Sequence, residues 1–341
     1  MFKILSLDGG GIRGAFIAAF LAKLQEHLDQ PLIKYFDLVT GTSTGGLIAV
    51  ALAMGTEASE LRELYETQGE AIFKRPPEKL SAVKRYALNK IFRLNLLGLA
   101  SLGLDAEWLY QSKFDSASLK QILTLKLGDK RLADAQCRLA IPSVDLTAAK
   151  TIVFKTPHRP DFVRDRHFRA VDVILATAAA PSYFPGASIE PGSSYCDGGV
   201  WANNPAMVGY VEAVRISRDC LRPEIDPRFN ENAIHLLSIG TGRASYYAGA
   251  NSNKVGLIWW APRLLNLGGQ AQSEGIHWQM QYLLGERYTR IDFSIPEGEW
   301  ALDSVGNIPA LLHFGSDQAV QRFNYLKHQF FSELSVKYTP F

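Results

Sequence analysis

Residues Gly41-Thr-Ser-Thr-Gly45 stand directly after the apolar run Tyr35 to Thr40 and before a second apolar stretch, Leu47 to Met54. The pattern predicts a strand, a sharp turn and a helix, with Ser43 at the turn. A reversal this tight brings backbone against backbone at both flanks. Glycine at 41 and 45 relieves that crowding because it has no Cβ, and the Ser43 hydroxyl is projected outward. A serine so placed is suited to nucleophilic attack on an acyl group. The same five residues also suit an ordinary glycine-rich turn between strand and helix.

Two other segments bear on the choice. Phe2 to Leu7 has the pattern of a short strand, followed by Asp8-Gly-Gly-Gly-Ile-Arg-Gly14 and a helical run from Ala15 to Leu28. Bare amides at such a turn face an anion over the helix N-terminus, either a pyrophosphate or the oxyanion of a tetrahedral intermediate. Gly9, Gly11 and Gly14 satisfy G-x-G-x-x-G, and Asp37 stands near the distance expected of a ribose-binding acid. Asp37, however, belongs within its strand and not at the carboxyl end, where Ser43 is found. A phosphate-binding P-loop fits less well still, because Leu47 follows Gly46 where a lysine is required.

The third segment, Ser194-Tyr-Cys-Asp-Gly-Gly-Val-Trp-Ala-Asn-Asn-Pro205, places Asp197 at the end of a short strand entering a Gly198-Gly199 turn. Asn204 and Pro205 are suited to open a helix carrying Met207, Val208, Val211 and Val214 on one stripe.

These three motifs, in this order, resemble those of the patatin-like phospholipases over most of the chain. Further stretches strengthen the likeness: Ala176-Thr-Ala-Ala-Ala-Pro-Ser-Tyr-Phe-Pro185, Asn203-Asn-Pro205 and Leu237-Ser-Ile-Gly-Thr-Gly242. The resemblance implies a catalytic pair of Ser43 as nucleophile and Asp197 as base. It also implies an oxyanion hole in the run Gly9, Gly10 and Gly11, supported by Arg13. Gly14, Gly41, Gly45, Gly198 and Gly199 complete the motifs, and only Gly199 departs, many members having alanine there. No cofactor or metal is implied.

A Ser-His-Asp triad is the competing arrangement. The chain has seven histidines, and His235 and His277 follow Asp197 in the order seen in α/β-hydrolases. There, however, the serine turn follows several strands, whereas here it follows one strand–helix unit. With aspartate as the base, partial burial is expected to raise its proton affinity, and Trp201 and Tyr195 are near enough in sequence to supply apolar cover.

Strand patterns at Lys3–Leu7, Phe36–Thr40, Arg138–Val144, Thr151–Phe154, Ala233–Ile239 and Arg290–Ile295 alternate with helical ones. The expected fold is an α/β three-layer sandwich with a mostly parallel central sheet, patatin-like, in a single domain over 1–335. The stretch 72–105 interrupts the alternation and reads as a lid or insertion. From Lys74 to Arg93 it carries seven basic residues opposed only by Glu78, which suits either anionic lipid headgroups or a solvated helix face. Adjacent Trp259 and Trp260 cannot share one helix face, so core packing and an acyl groove are both open to them.

With 341 residues and 47% hydrophobic content, the chain can bury a large core. A net charge of +2 gives little drive toward nucleic acid. Cys137, Cys196 and Cys220 lack metal or redox spacing and read as buried thiols. No stretch reaches the length of a membrane span, and the first strand begins at residue 2, so the expectation is a cytoplasmic protein making peripheral contact with a membrane.

The leading functional reading is a serine-dependent lipid acyl hydrolase of the phospholipase A or lysophospholipase type, with a phospholipid membrane surface as substrate. Some bacterial cytosolic members of the family are membrane-degrading effectors of anti-phage defence switched on by cyclic nucleotides. The resemblance therefore extends to a cyclic-nucleotide activator, although no fingerprint for one is legible. The alternatives are a lipid transacylase and a non-enzymatic nucleotide-binding module. Oligomeric state is not encoded legibly.

Overall fold

The structure, a computed structural model, describes residues 1–73, 112–219, 231–244, 257–295 and 301–341, with the backbone alone for 219, 231, 244 and 257–266. The expected lid at 72–105 lies outside the described residues from Lys74 onward, as do Cys220 and the side chains of Trp259 and Trp260.

Period-two alternation in the first strand sets up the layers. In β1 (Phe2–Leu7) all six residues are buried, with Leu5 and Leu7 in one core and Phe2 and Ile4 in the other. The larger core is covered by α1 (Gly14–Gln25), α2 (Thr44–Ala53), α3 (Ala58–Ile72), α4 (Ala117–Leu127), α5 (Ala170–Thr177) and α8 (Ile308–Phe330). The smaller is covered by α6 (Ala206–Asp219) and α7 (Leu257–Leu284). Helices on both faces of one sheet make the three expected layers. Phe16 and Phe20 on α1 are wholly buried, each worth roughly 1.5–3 kcal/mol of transfer free energy.

The main sheet runs β4 (Lys150–Lys155), β3 (Arg138–Asp145), β2 (Leu38–Gly41), β1, β6 (Ile234–Ile239), β8 (Tyr288–Ile291), with β5 (Tyr195–Asp197) also paired to β3. The four pairings from β3 through β8 are parallel, and β4 and β5 join β3 antiparallel. Register decides where the loops emerge. Leu7 stands opposite both Gly41 and Ile239, so the turns after β1, β2 and β6 leave the sheet side by side. Asp197 stands opposite Ser143 near the end of β3, which delivers it to the same edge. Ligands in such sheets bind at the carboxyl ends of the strands.

Three local expectations are corrected. The first helix begins at Gly14 and closes at Gln25, three residues before Leu28, because His27 and Leu28 turn back on Leu24 and Gln25 in tighter bonds ahead of Pro31. Asp37 lies just before β2 and accepts the Lys3 amide at 2.8 Å. The strand expected at Arg290–Ile295 is two strands, β8 and β9 (Ser294–Ile295), the latter pairing with β7 (Arg243–Ala244) in a separate ribbon. Asp292 divides them by accepting the amides of Gly242 and Phe293.

Candidate active site

Ser43 sits between β2 and α2 with φ 56° and ψ −122°, a backbone conformation sparsely populated by any residue but glycine and held only where surroundings over-determine it. Three constraints hold it. A Cβ on Gly41 would collide with the Gly45 carbonyl, and one on Gly45 would come within 2.6 Å of the Asp8 carbonyl. The Ser43 amide donates to the Thr177 hydroxyl at 3.2 Å, and that hydroxyl donates onward to Pro142 O at 2.6 Å. The Ser43 carbonyl accepts the first bond of α2, from Leu47. The N-terminus of α2 therefore faces the serine, favouring negative charge there.

Asp197 is buried, and the Ser43 side chain and the Gly199 amide are the polar groups that act on its carboxyl. Burial pushes its pKa up to about 6, against the opposing pull of Ser43 and the Gly199 amide. The Gly199 amide reaches Asp197 Oδ1 at 2.6 Å and fixes the carboxylate plane. Trp201 and Tyr195 are bound elsewhere: the Trp201 indole donates to Ser143 O at 2.9 Å, and the Tyr195 ring packs edge-on to Phe154. Among the described residues, no histidine bonds to either group: His158 faces Thr156 and Glu212, and His277 faces Tyr288, while His235 lies within β6.

The glycine run after β1 approaches Ser43 closely, since a Cβ on Gly9 would lie 3.3 Å from Ser43 Cβ and 2.5 Å from the Asn203 amide oxygen. The expected set of oxyanion donors is narrowed here. Gly9 N–H donates to Asn203 O at 3.0 Å and is engaged. The Gly10 and Gly11 amides keep no acceptor among the described residues, at the start of the short 3₁₀ turn Gly11–Arg13. Arg13 points away from them: its guanidinium donates to the carbonyls of Gly10 and Gly242, each at 3.4 Å, so its support of the loop is exerted from behind. Gly14 closes the motif at the first residue of α1.

Beneath this loop lies an ionic cluster that no sequence motif announced. Arg290 donates to both oxygens of Asp8, at 2.9 and 2.6 Å, and to Asp292 at 2.8 Å. Burial opposes its charge, but Asp8 and Asp292 outweigh that and hold the guanidinium proton above the ordinary arginine range. Ser273 of α7 donates to Asp8 at 3.0 Å. Asn203 and Thr177 were visible only as members of quoted stretches, without a role. Asn204 also has one: its side chain accepts from Ala206 N at 3.0 Å, capping α6 as expected, and donates to Ser273 O at 3.3 Å.

Among the described residues, no cluster of His, Cys, Asp and Glu could hold a metal ion, and no helix is long and apolar enough to cross a membrane. Cys137 and Cys196 are buried and unpaired with each other.

A family model described as patatin-like phospholipase matches residues 5–210. A cGAMP-activated phospholipase of Pseudomonas aeruginosa is 35% identical over 291 residues, covering 85% of this chain and 78% of the relative. A second, from Vibrio cholerae, is 32% identical over 348 residues, covering 94% of this chain and 91% of the relative. Among solved structures, VipD from Legionella pneumophila is similar with a TM-score of 0.43 and 13% identity, over 95% of this chain and 67% of VipD.

Proposed function

This chain belongs to the patatin-like phospholipase family, and we propose that it cleaves phospholipid acyl esters with Ser43 as nucleophile and Asp197 as the base. The observation that carries the reading is a buried Asp197 carboxyl, its pKa pushed up to about 6, on which the Ser43 side chain acts directly. An ordinary aspartate is a poor base at neutral pH, and burial corrects that while leaving the group mostly ionised above pH 6.

Ser43 Oγ attacks the ester carbonyl carbon as its proton passes to Asp197. The carbonyl oxygen becomes an oxyanion, for which the Gly10 and Gly11 amides are the available donors, aided by the N-terminus of α2. Collapse expels the glycerol-side oxygen, which takes the proton from Asp197 and leaves as an alcohol, with the acyl group on Ser43. A water molecule then attacks, Asp197 takes its proton, and the fatty acid departs as the proton returns to Ser43 Oγ. Two relatives at 32–35% identity carry the name cGAMP-activated phospholipase, which supports a cyclic nucleotide as activator here too, for an enzyme working in the cytoplasm at the membrane surface.

The test is incubation with phosphatidylethanolamine–phosphatidylglycerol vesicles, with and without cGAMP, and mass spectrometry of the products. Free fatty acid and lysolipid are expected from the wild type and none from Ser43→Ala. Acyl transfer to an added alcohol in preference to water would point to a transacylase. Equal product from wild type and Ser43→Ala would refute the nucleophile assignment.

A further inference from the structure

We infer that Thr241 is a positioning residue of the oxyanion hole: its hydroxyl holds the Gly9 carbonyl so that the opposite edge of the same peptide, the Gly10 N–H, is aimed toward Ser43. The inference rests on the ester-hydrolase reading above and adds a residue that reading does not contain.

Peptide geometry supplies the argument. The chain has no cis bonds among the described residues, so the Gly9–Gly10 peptide is trans. In a trans peptide the carbonyl oxygen and the following Cα lie on one edge, with the N–H and the preceding Cα on the other. Thr241 occupies the first edge on both counts. Its Oγ1 donates to Gly9 O at 2.7 Å, and its side chain fills the space where a Cβ on Gly10 would stand. Ser43 occupies the second edge, because its Cβ is the neighbour of the Gly9 Cα at 3.3 Å from the glycine's absent Cβ. The Gly10 N–H thus emerges on the side of the nucleophile, without an acceptor of its own.

The loop is pinned at three successive peptides. Asn203 O receives the Gly9 amide, Thr241 grips the Gly9 carbonyl, and Arg13 holds the Gly10 carbonyl through its amide at 3.1 Å and its guanidinium at 3.4 Å. Thr241 is the side chain acting on the peptide that carries the Gly10 N–H, and Arg13 acts on the next one, which carries the Gly11 N–H. Thr241 is buried, so its bond is shielded from water and strong in aim. Glycines flanking the Gly9–Gly10 peptide on both sides leave it free to rotate unless something external fixes it. A donor that must be prepositioned for charge appearing only in the transition state needs such a fixture.

The role predicts a signature distinct from that of a structural hydroxyl. Thr241→Val keeps the shape and removes the bond, whereas Thr241→Ser keeps the bond and removes a methyl. Hydrolysis of p-nitrophenyl butyrate is measured for wild type, both variants and Ser43→Ala, with and without cGAMP, together with thermal midpoints. Misaiming one of two donors is expected to lower kcat about 10- to 100-fold in Thr241→Val, less than or near the loss from deleting such a donor outright. KM should stay within about threefold, and Thr241→Ser should retain most of the wild-type kcat. If Thr241→Val does not fold, Thr241→Ala against Thr241→Ser carries the same comparison. A folded Thr241→Val with wild-type kcat, or a Thr241→Ser as impaired as Thr241→Val, overturns the inference while leaving the Ser43 reading intact. Wild-type turnover equal to that of Ser43→Ala overturns both.

Discussion

Arg290 holds both carboxylate oxygens of Asp8 in a buried fork, 2.9 and 2.6 Å long, across 282 positions of sequence. Asp8 is the first residue of the glycine loop, so the loop that approaches Ser43 springs from an ion pair anchored on β8. Bidentate pairing fixes orientation as well as distance, which gives the glycines a rigid starting point.

Arg290→Met would leave the Asp8 charge buried without its main partner. Such a loss is expected to cost about 3–5 kcal/mol of stability by urea unfolding. Arg290→Lys should recover only part of it, because an ammonium cannot reproduce the fork. A wild-type unfolding midpoint for Arg290→Met would show the pair to be energetically idle.

Asp197 must be ionised to accept a proton, and its pKa of about 6 sets the acid limb of activity. The plot of kcat/KM against pH should rise through about pH 6 and level above it. A histidine base could produce the same limb. The limb is therefore expected to persist, unmoved, in His235→Ala and His277→Ala; its disappearance in either variant would transfer the base role to that imidazole.

The same elevated pKa has a consequence for stability. A carboxyl that holds its proton more tightly when folded favours the fold below the unfolded value of 3.8 and loses that advantage as pH rises through about 6. At pH 7.5 ionised Asp197 costs the fold up to about 3 kcal/mol. Asp197→Asn should be inactive yet melt as high as the wild type or higher at pH 7.5, with the gap shrinking at pH 4.5. A marked loss of stability at pH 7.5 would contradict the burial argument.

Gly45→Ala tests the close approach at the serine turn. Its methyl would press on the carbonyls of Leu7 and Asp8, which are backbone and cannot rotate away. Loss of soluble folded protein, or of all activity, is expected; near-normal kcat would mean that the turn has room for a methyl group at 45.

How much of this was legible follows physical lines. Short apolar runs placed β1, β2 and β6 within a residue or two, because burial on both faces is written locally as near-continuous apolar sequence. Gly41 was legible for the same reason, since its crowding partner is nearby Gly45, whereas Gly45 is crowded by the distant carbonyls of Leu7 and Asp8. Which amides remain available was not legible. Gly9 is engaged by the carbonyl of Asn203, a backbone group that carries no residue signature. Thr177 on the Ser43 amide and Arg290 under Asp8 depend on parallel crossovers that join positions 134 and 282 residues apart. The quoted stretches around Thr177, Asn203 and Thr241 marked where those partners would come from, without saying what each one holds.

The most direct measurement of the central claim is covalent trapping with a fluorophosphonate probe, followed by peptide mass spectrometry of the intact chain's digest. A single adduct on the peptide containing Ser43 is expected, absent from Ser43→Ala and much slower to form in Asp197→Asn. An adduct on another residue of an active preparation, or undiminished labelling of Asp197→Asn, would contradict a nucleophile at 43 driven by a base at 197.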